Sequence, residues 1–409
     1  MVPAPAQRAV PRPGIRVLSV GNMYPPHHLG GAELIWQSCV RHLREAGLAV
    51  RVLTTDFALA EPDPTIEEEP DVHRELRWYW REHSFPRYGP LRRLGIERHN
   101  RRTLARHLTD LEPAAITWWS MGGLSLALLD QARGAGVPGV GIVLDDWLVY
   151  GPAVDGWQRL CRRGGPLGAP LARLAGIPAR VELGPAASWI FMSETVRRHA
   201  ADAGVDVAGS RVAYRGIDQR EFQPRDESSE WGGRLLCLGR IDPRKGVETA
   251  IRALALLPEE RLEVVGDGDR GHLERLHEIA RDVGVARRVS FRRVPRDRIP
   301  ALLASADALL FPVLWEEPWG LVPLEAMAAG TPVVSTGAGG SGEYLRDGEN
   351  CLLFAPRDDP RALAHAVARI RADPSLRDRL RAAGLATAKR FNERSFNAVV
   401  LEEIEEVMR

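Results

Sequence analysis

Two glutamates with seven residues between them, Glu317 and Glu325, stand in the stretch Leu314–Gly330. Gly320 to Ala329 predicts a helix. Leu321, Val322, Leu324, Ala326, Met327 and Ala328 wrap most of the way round it, the pattern of a buried helix. A carboxylate on such a helix carries a large desolvation cost unless something hydrogen-bonds it. No Lys or Arg lies within a turn of Glu325, so a hydroxyl-rich ligand is the natural partner; the alternative is a core helix whose Glu325 faces a solvent gap. The helix start at Trp319-Gly320-Leu321 offers bare backbone N–H groups and a positive dipole end to an anion.

Cations for that anion come from Gly239-Arg240-Ile241-Asp242-Pro243-Arg244-Lys245-Gly246. Asp242 as N-cap and Pro243 at the first helical position predict a helix start. Lys245 then falls in the first turn, where the dipole disfavours a cation and a bound phosphate would reverse the penalty. Only Lys245 and Lys389 are lysines among 55 basic residues, which gives the placement weight over a solvated surface lysine. Gly30-Gly31 precedes a helix over Ala32–Ala46, where backbone can approach a diphosphate or simply turn. Gly266 to Gly271 satisfies G-x-G-x-x-G after a strand at Leu262–Val265. Alone it would suggest a dinucleotide, but it lies in the second half of the chain and no acidic residue follows in the right strand context. Asp145-Asp146 closes a strand at Gly139–Leu144, so its carboxylates point into the ligand crevice of a parallel sheet.

The signature W-G-L-V-P-L-E-A-M-A-A-G-T-P-V-V around E-x7-E resembles retaining GT-B glycosyltransferases of family 4 (glycosyl transferases group 1). Y-P-P-x3-G-G-A-E at the first loop, Arg215-Gly216-Ile217-Asp218, the Arg240/Lys245 loop and Gly339-Gly340-Ser341-Gly342-Glu343 add to it. The resemblance is dense over 234–355, good over 15–55 and weak over 58–112 and 150–185. It implies transfer of a hexosyl-type group from a nucleotide-diphosphate sugar to an acceptor hydroxyl with retained anomeric configuration, without metal or cofactor. Arg240 and Lys245 would face the diphosphate with Gly30, Gly31, Gly320, Leu321 and Val322. Glu325 would hold the ribose and Glu317 the transferred sugar, while Gly266, Gly268 and Val294 would border the nucleotide. Three departures stand out. Asp145 occupies the place of a His common in relatives, and an Asp cannot donate as an imidazole does. Arg215 replaces an Asn. The exit Phe291–Pro295 lacks a common Gly and is one residue shorter. Asp145 keeps open a non-catalytic nucleotide-sugar-binding homologue; an epimerase or hydrolase is the other rival.

The implied fold is α/β: two Rossmann-like α/β/α domains facing a central cleft. The domains fall at 15–214, completed by 392–409, and at 215–391, after a flexible 1–14, with a C-terminal helix crossing back to the first domain. A chain of 409 residues suits two such cores. A net charge of +1 gives no case for nucleic acid. Without a spanning apolar run or a signal-peptide core, a cytoplasmic protein is expected. Four scattered cysteines have neither metal nor redox spacing. Residues 58–113 read as irregular; their Arg-rich run with Trp78, Tyr79 and Trp80 from Arg74 to Arg106 suits solvated helix faces, an acceptor cradle or a peripheral anionic-membrane contact. Residues 150–179 read as a Gly/Pro/Arg-rich excursion, either a mobile acceptor loop or a surface segment.

Overall fold

Short apolar runs with a helix between each pair build two separate parallel sheets in this computed structural model, which describes residues 14–81, 84–224 and 230–409. Nearly all of the lead-in assigned to 1–14 lies outside the described residues. The chain divides into two units, one running to Ala213 and resuming at Asn397–Arg409, the other Tyr214–Phe396. The sequence placed the first boundary at 214/215 and the return at 392.

In the first unit the strands are β1 (Arg16–Val20), β2 (Ala49–Thr55), β3 (Val72–Leu76), β4 (Ala115–Trp118), β5 (Gly139–Val143), β6 (Ser188–Phe191) and β7 (Arg211–Val212). They lie in the order β3-β2-β1-β4-β5-β6-β7, parallel throughout. Such strands are buried on both faces and therefore read as continuous apolar runs. The helices are α1 (Gly31–Glu45), α2 (Pro90–Leu111), α3 (Ala127–Gly134), α4 (Trp147–Val154), α5 (Gly156–Arg163), α6 (Gly168–Ala175) and α7 (Glu194–Asp202).

Two sequence expectations fail here. Residues 58–113 are irregular in only about half their length: between loops they hold β3 and the 22-residue α2. Trp78 and Tyr79 are buried rather than displayed, because Trp78 Nε1 donates to the Gly122 carbonyl (2.9 Å) and the Tyr79 hydroxyl to Glu97 Oε1 (2.9 Å). Those two rings therefore form no part of a surface for membrane or acceptor. Residues 150–179 are not a loop but the succession α4, α5, α6. Trp157, Cys161, Ala172 and Ile177 close there on Ala127 as a small core of their own.

The second unit has β8 (Arg234–Leu238), β9 (Arg261–Val265), β10 (Val289–Arg292), β11 (Ala308–Phe311), β12 (Val333–Ser335) and β13 (Leu352–Leu353) in the order β10-β9-β8-β11-β12-β13. This is the doubly wound order whose direction reverses between β8 and β11. Its helices are α8 (Val247–Leu254), α9 (Arg270–Asp282), α10 (Ile299–Ser305), α11 (Leu321–Ala328), α12 (Pro360–Ala372) and α13 (Pro374–Arg390). The core runs from Leu235 and Ile251 through Leu276 and Leu310 to Val367. The last helix, α14 (Glu393–Val407), starts in this unit and ends in the first. There Glu403 Oε2 accepts from Arg211 Nη1 (3.2 Å) and Asn397 Nδ2 donates to Ser38 (3.0 Å).

Candidate functional site

In the second unit, the loops leaving β8 and β11 meet where the strand order reverses. Lys245 Nζ lies 2.7 Å from Glu317 Oε2, and the same oxygen accepts from Trp315 Nε1 at 2.9 Å. Arg240, half-exposed, has its Nε 3.3 Å from Asp242 Oδ2. Gly239, Arg240, Lys245, Phe311 and Pro312 line one small recess. The Asp242 cap is real, its Oδ1 accepting from Arg244 N at 2.9 Å. Yet it opens only a single 3-10 turn, Pro243–Lys245; the backbone then turns left-handed at Gly246 and α8 starts at Val247. Lys245 therefore stands just before the cap of α8 rather than in its first turn. Its partner is Glu317.

Two glycine turns hold these loops. A Cβ at Gly266 would sit 1.9 Å from the Gly239 carbonyl oxygen, and one at Gly268 would sit 2.5 Å from that of Ile241. Ile241 N donates to Asp267 O at 2.7 Å. The G-x-G turn thus carries the Arg240 loop on its back by close backbone approach. Likewise Gly339 (φ +67) lies against the backbone of Glu317, 2.5 Å from its N and O for an added Cβ, and Gly340 N donates to Glu317 O at 2.7 Å. Gly339→Ala is expected to push Glu317 off Lys245. The cost is about 1–3 kcal/mol of stability from the left-handed backbone and the clash. Urea denaturation reads it, and an unchanged midpoint would show that Gly339 does not brace the carboxylate.

Glu325 is buried on α11, as the periodicity implied, but it does have a basic partner. Arg296 Nη2 donates to its Oε1 at 2.6 Å from the turn after β10, 29 residues upstream. The expectation of a partner supplied only by ligand is corrected to this extent: one oxygen is taken by Arg296, while Oε2 is buried with no hydrogen bond. Val294 stands two residues before Arg296, so the β10 exit and Glu325 come together. Gly320 caps α11 in a left-handed conformation, and Leu321 and Val322 are half-buried in its first turn.

In the first unit, Gly30 and Gly31 are exposed as the cap and first residue of α1, and Gly30 N donates to Glu33 Oε2 at 3.1 Å. A Cβ at Gly31 meets nothing within 4 Å and φ at Gly30 is −165°, so neither packing nor backbone demands glycine at either position. Asp145 follows β5. Its Oδ2 accepts from the Tyr150 hydroxyl (2.9 Å) and its Oδ1 from Trp147 N (3.2 Å). Burial pushes its carboxyl up to about 6, against the pull of those two donors. Next to it, Asp146 Oδ1 pairs with His199 Nδ1 at 3.0 Å. Arg296, Trp315, Tyr150 and His199 all escaped the sequence reading. Trp315 alone had a signal, standing two residues before Glu317 inside the signature stretch. Elsewhere in this unit His73, Glu75 and His107 converge, but Arg106 already contacts the Glu75 carboxylate, so the group is an ion-pair network in which the buried His107 Nδ1 has no hydrogen bond.

Two doubly wound parallel units with a shared last helix are the GT-B glycosyltransferase fold. Solved structures agree over nearly the whole chain. Sucrose-phosphate synthase from Thermosynechococcus elongatus aligns at TM-score 0.71 and 20% identity, over 95% of this chain and 98% of that one. HepE from Anabaena, in complex with UDP-glucose, aligns at TM-score 0.72 and 22% identity, over 96% and 100%. Identities this low speak for the fold alone. Residues 218–386, nearly the whole of the second unit, match the family model described as glycosyl transferases group 1. Among curated relatives, the lipopolysaccharide core biosynthesis glycosyltransferase LpsE of Rhizobium meliloti is 41% identical over 153 residues, 37% of this chain and 44% of that protein. A GDP-mannose-dependent α-(1-6)-phosphatidylinositol monomannoside mannosyltransferase of Mycolicibacterium smegmatis is 34% identical over 220 residues, 49% and 56%. The chain spans about half the length of these curated relatives.

Proposed function

We propose that the protein is a retaining glycosyltransferase that moves a hexosyl-type group from a nucleotide-diphosphate sugar to an acceptor hydroxyl, without metal. The observation that carries this reading is the Lys245–Glu317–Trp315 contact beside Arg240 at the β8/β11 reversal. The hard step is departure of the diphosphate from the anomeric carbon. Charge developing on the leaving group is met by Lys245, Arg240 and the free amides at Gly320–Val322, which are in place before reaction. Glu317 Oε2 is taken by Lys245 and Trp315, which leaves Oε1 for a sugar hydroxyl. Glu325 Oε2, buried without a donor, accepts the ribose hydroxyls, with Arg296 fixing the carboxylate from its other side. Gly30 and Gly31, which the fold itself does not require, leave room for the phosphates; the Gly266-x-Gly268 turn and Val294 border the nucleotide. Asp145 polarises the acceptor side, and the His199–Asp146 pair returns an imidazole to the neighbourhood where Asp145 stands in place of one. The acceptor attacks the face the diphosphate leaves, and a donor phosphate oxygen takes its proton, so no covalent intermediate on the protein is invoked.

A thermal-shift panel of UDP-, GDP- and dTDP-sugars tests donor binding, and product analysis by NMR tests retention. Glu325→Gln is expected to weaken binding of the stabilising donor by roughly tenfold, the worth of a charge-assisted bond to a hydroxyl. A product of inverted configuration would overturn the retaining mechanism. Equal donor affinity in Glu325→Gln would overturn the ribose assignment.

A further inference from the structure

Five large apolar side chains of the first unit stand exposed among the described residues, and all lie on one group of helices. They are Leu91 (86%) at the start of α2, Val149 (39%) on α4, and Leu167 (75%), Leu171 (39%) and Leu174 (87%) on and just before α6. Leu167, Leu171 and Leu174 follow i, i+4, i+7 and share a helix face. Leu94, one turn beyond Leu91, packs into the same small core as Ala172 and Ala175 of α6, which brings the start of α2 beside α6. The surrounding charge has one sign. Gly156 to Arg180 holds Arg159, Arg162, Arg163, Arg173 and Arg180 and no acidic residue, and the exposed Arg87 and Arg92 flank Leu91. The arginines crowd one another: after burial, the charges of Arg93, Arg163, Arg87 and Arg162 hold the Arg159 guanidinium below its ordinary value.

We propose that the exposed face of α6, with the start of α2 beside it, docks on the surface of an anionic phospholipid bilayer. Protruding aliphatic chains ringed by arginines suit the boundary between headgroups and acyl chains. The leucines enter the apolar edge and the guanidiniums meet lipid phosphates. A protein partner would favour buried aromatic anchors in a groove, with leucine under-represented. Single-stranded nucleic acid would need stacking platforms, and the nearby Tyr88 ring is already covered by Arg92 at 4.0 Å. No helix among the described residues is long and apolar enough to cross a membrane, so the contact is with one surface. It would set α4, whose Tyr150 holds Asp145, near the bilayer, where a lipid-borne hydroxyl acceptor arrives; that consequence, unlike docking itself, rests on the transfer reading.

The test is flotation of the full chain with vesicles of phosphatidylcholine, with and without phosphatidylglycerol, at low and high salt. Wild type is compared with a combined Leu167→Ser, Leu171→Ser, Leu174→Ser variant and a combined Arg162→Gln, Arg163→Gln, Arg173→Gln variant. Thermal melting confirms that each variant folds. Wild type is expected to float with anionic vesicles at least about tenfold better than with neutral ones, and each variant to lose most of that binding. No flotation at low salt would overturn the proposal. So would binding that survives the leucine changes, which would mean electrostatic adsorption without insertion. So, too, would a concentration-dependent dimer in light scattering that the leucine changes dissolve while wild type ignores vesicles.

Discussion

Lys245→Ala is expected to lower kcat/KM for glycosyl transfer by roughly two to three orders of magnitude while leaving the second unit folded. The lysine is partly exposed and bonds one side chain, Glu317, so its loss creates no cavity in the core. On the proposed reading its loss takes the compact positive charge from the place where the diphosphate would leave, a transition-state interaction, so kcat is expected to fall more than donor affinity. Glu317 complicates the reading, because the same change frees its Oε2 from one of two donors. A double-mutant cycle with Glu317→Gln separates the effects. If the pair acts as a unit, the two changes together cost clearly less than the sum of each alone. Arg240→Ala should show a smaller loss without coupling to Glu317, since Arg240 pairs with Asp242 instead. Transfer by Lys245→Ala within about twofold of wild type would remove the lysine from the diphosphate site, and with it the central assignment.

Why Lys245 could be singled out from sequence, and Arg296 could not, is a matter of range. A capped turn, a rare lysine and two glutamates at fixed spacing are local facts, and parallel strands buried on both faces announce themselves as apolar runs. The partner of Glu325 comes from the far side of the β10–α10–β11 crossover, 29 residues away, where no local rule reaches. The helix α2 was lost for a different reason. Its buried face reads Arg93, Ile96, Glu97, Asn100, Thr103, Leu104, His107, Leu111. The spacing is helical, but most of these residues are polar, satisfied inside the fold by bonds such as Asn100 Nδ2 to Ser125 (2.8 Å) and Arg93 Nη1 to the Gly156 carbonyl (3.2 Å). A hydrophobic period cannot show a face built from hydrogen-bonded polar groups. The succession α4–α6 was hidden by its glycines and prolines, three of which begin helices rather than end them: Gly156, Gly165 and Gly168.

That polar face carries the largest expected stability effect. Glu97 is fully buried; its Oε1 accepts from the Tyr79 hydroxyl, its Oε2 has no partner, and the buried Asp155 lies close enough to repel it. Burial first, then Asp155, pushes its carboxyl from the ordinary value near 4.5 up to about 8. Between those values the folded chain holds a proton the unfolded chain has released, so stability falls as pH rises, by up to about 1.4 kcal/mol per pH unit, and levels off above pH 8. Glu97→Gln keeps the shape and an acceptor for Tyr79 but cannot ionise. It is expected to flatten that slope: wild type loses a few kcal/mol from pH 5 to pH 8.5, the variant much less, and the two curves converge or cross at the acid end. Asp155 titrates in both proteins, and because it repels Glu97 its own share of the slope also shrinks in the variant. Urea denaturation followed by tryptophan fluorescence is the measurement, because eight of the 11 tryptophans, Trp78 among them, lie in the first unit. Parallel pH profiles for the two proteins would mean that Glu97 is ionised in the fold, and that Arg93, not a proton, balances it.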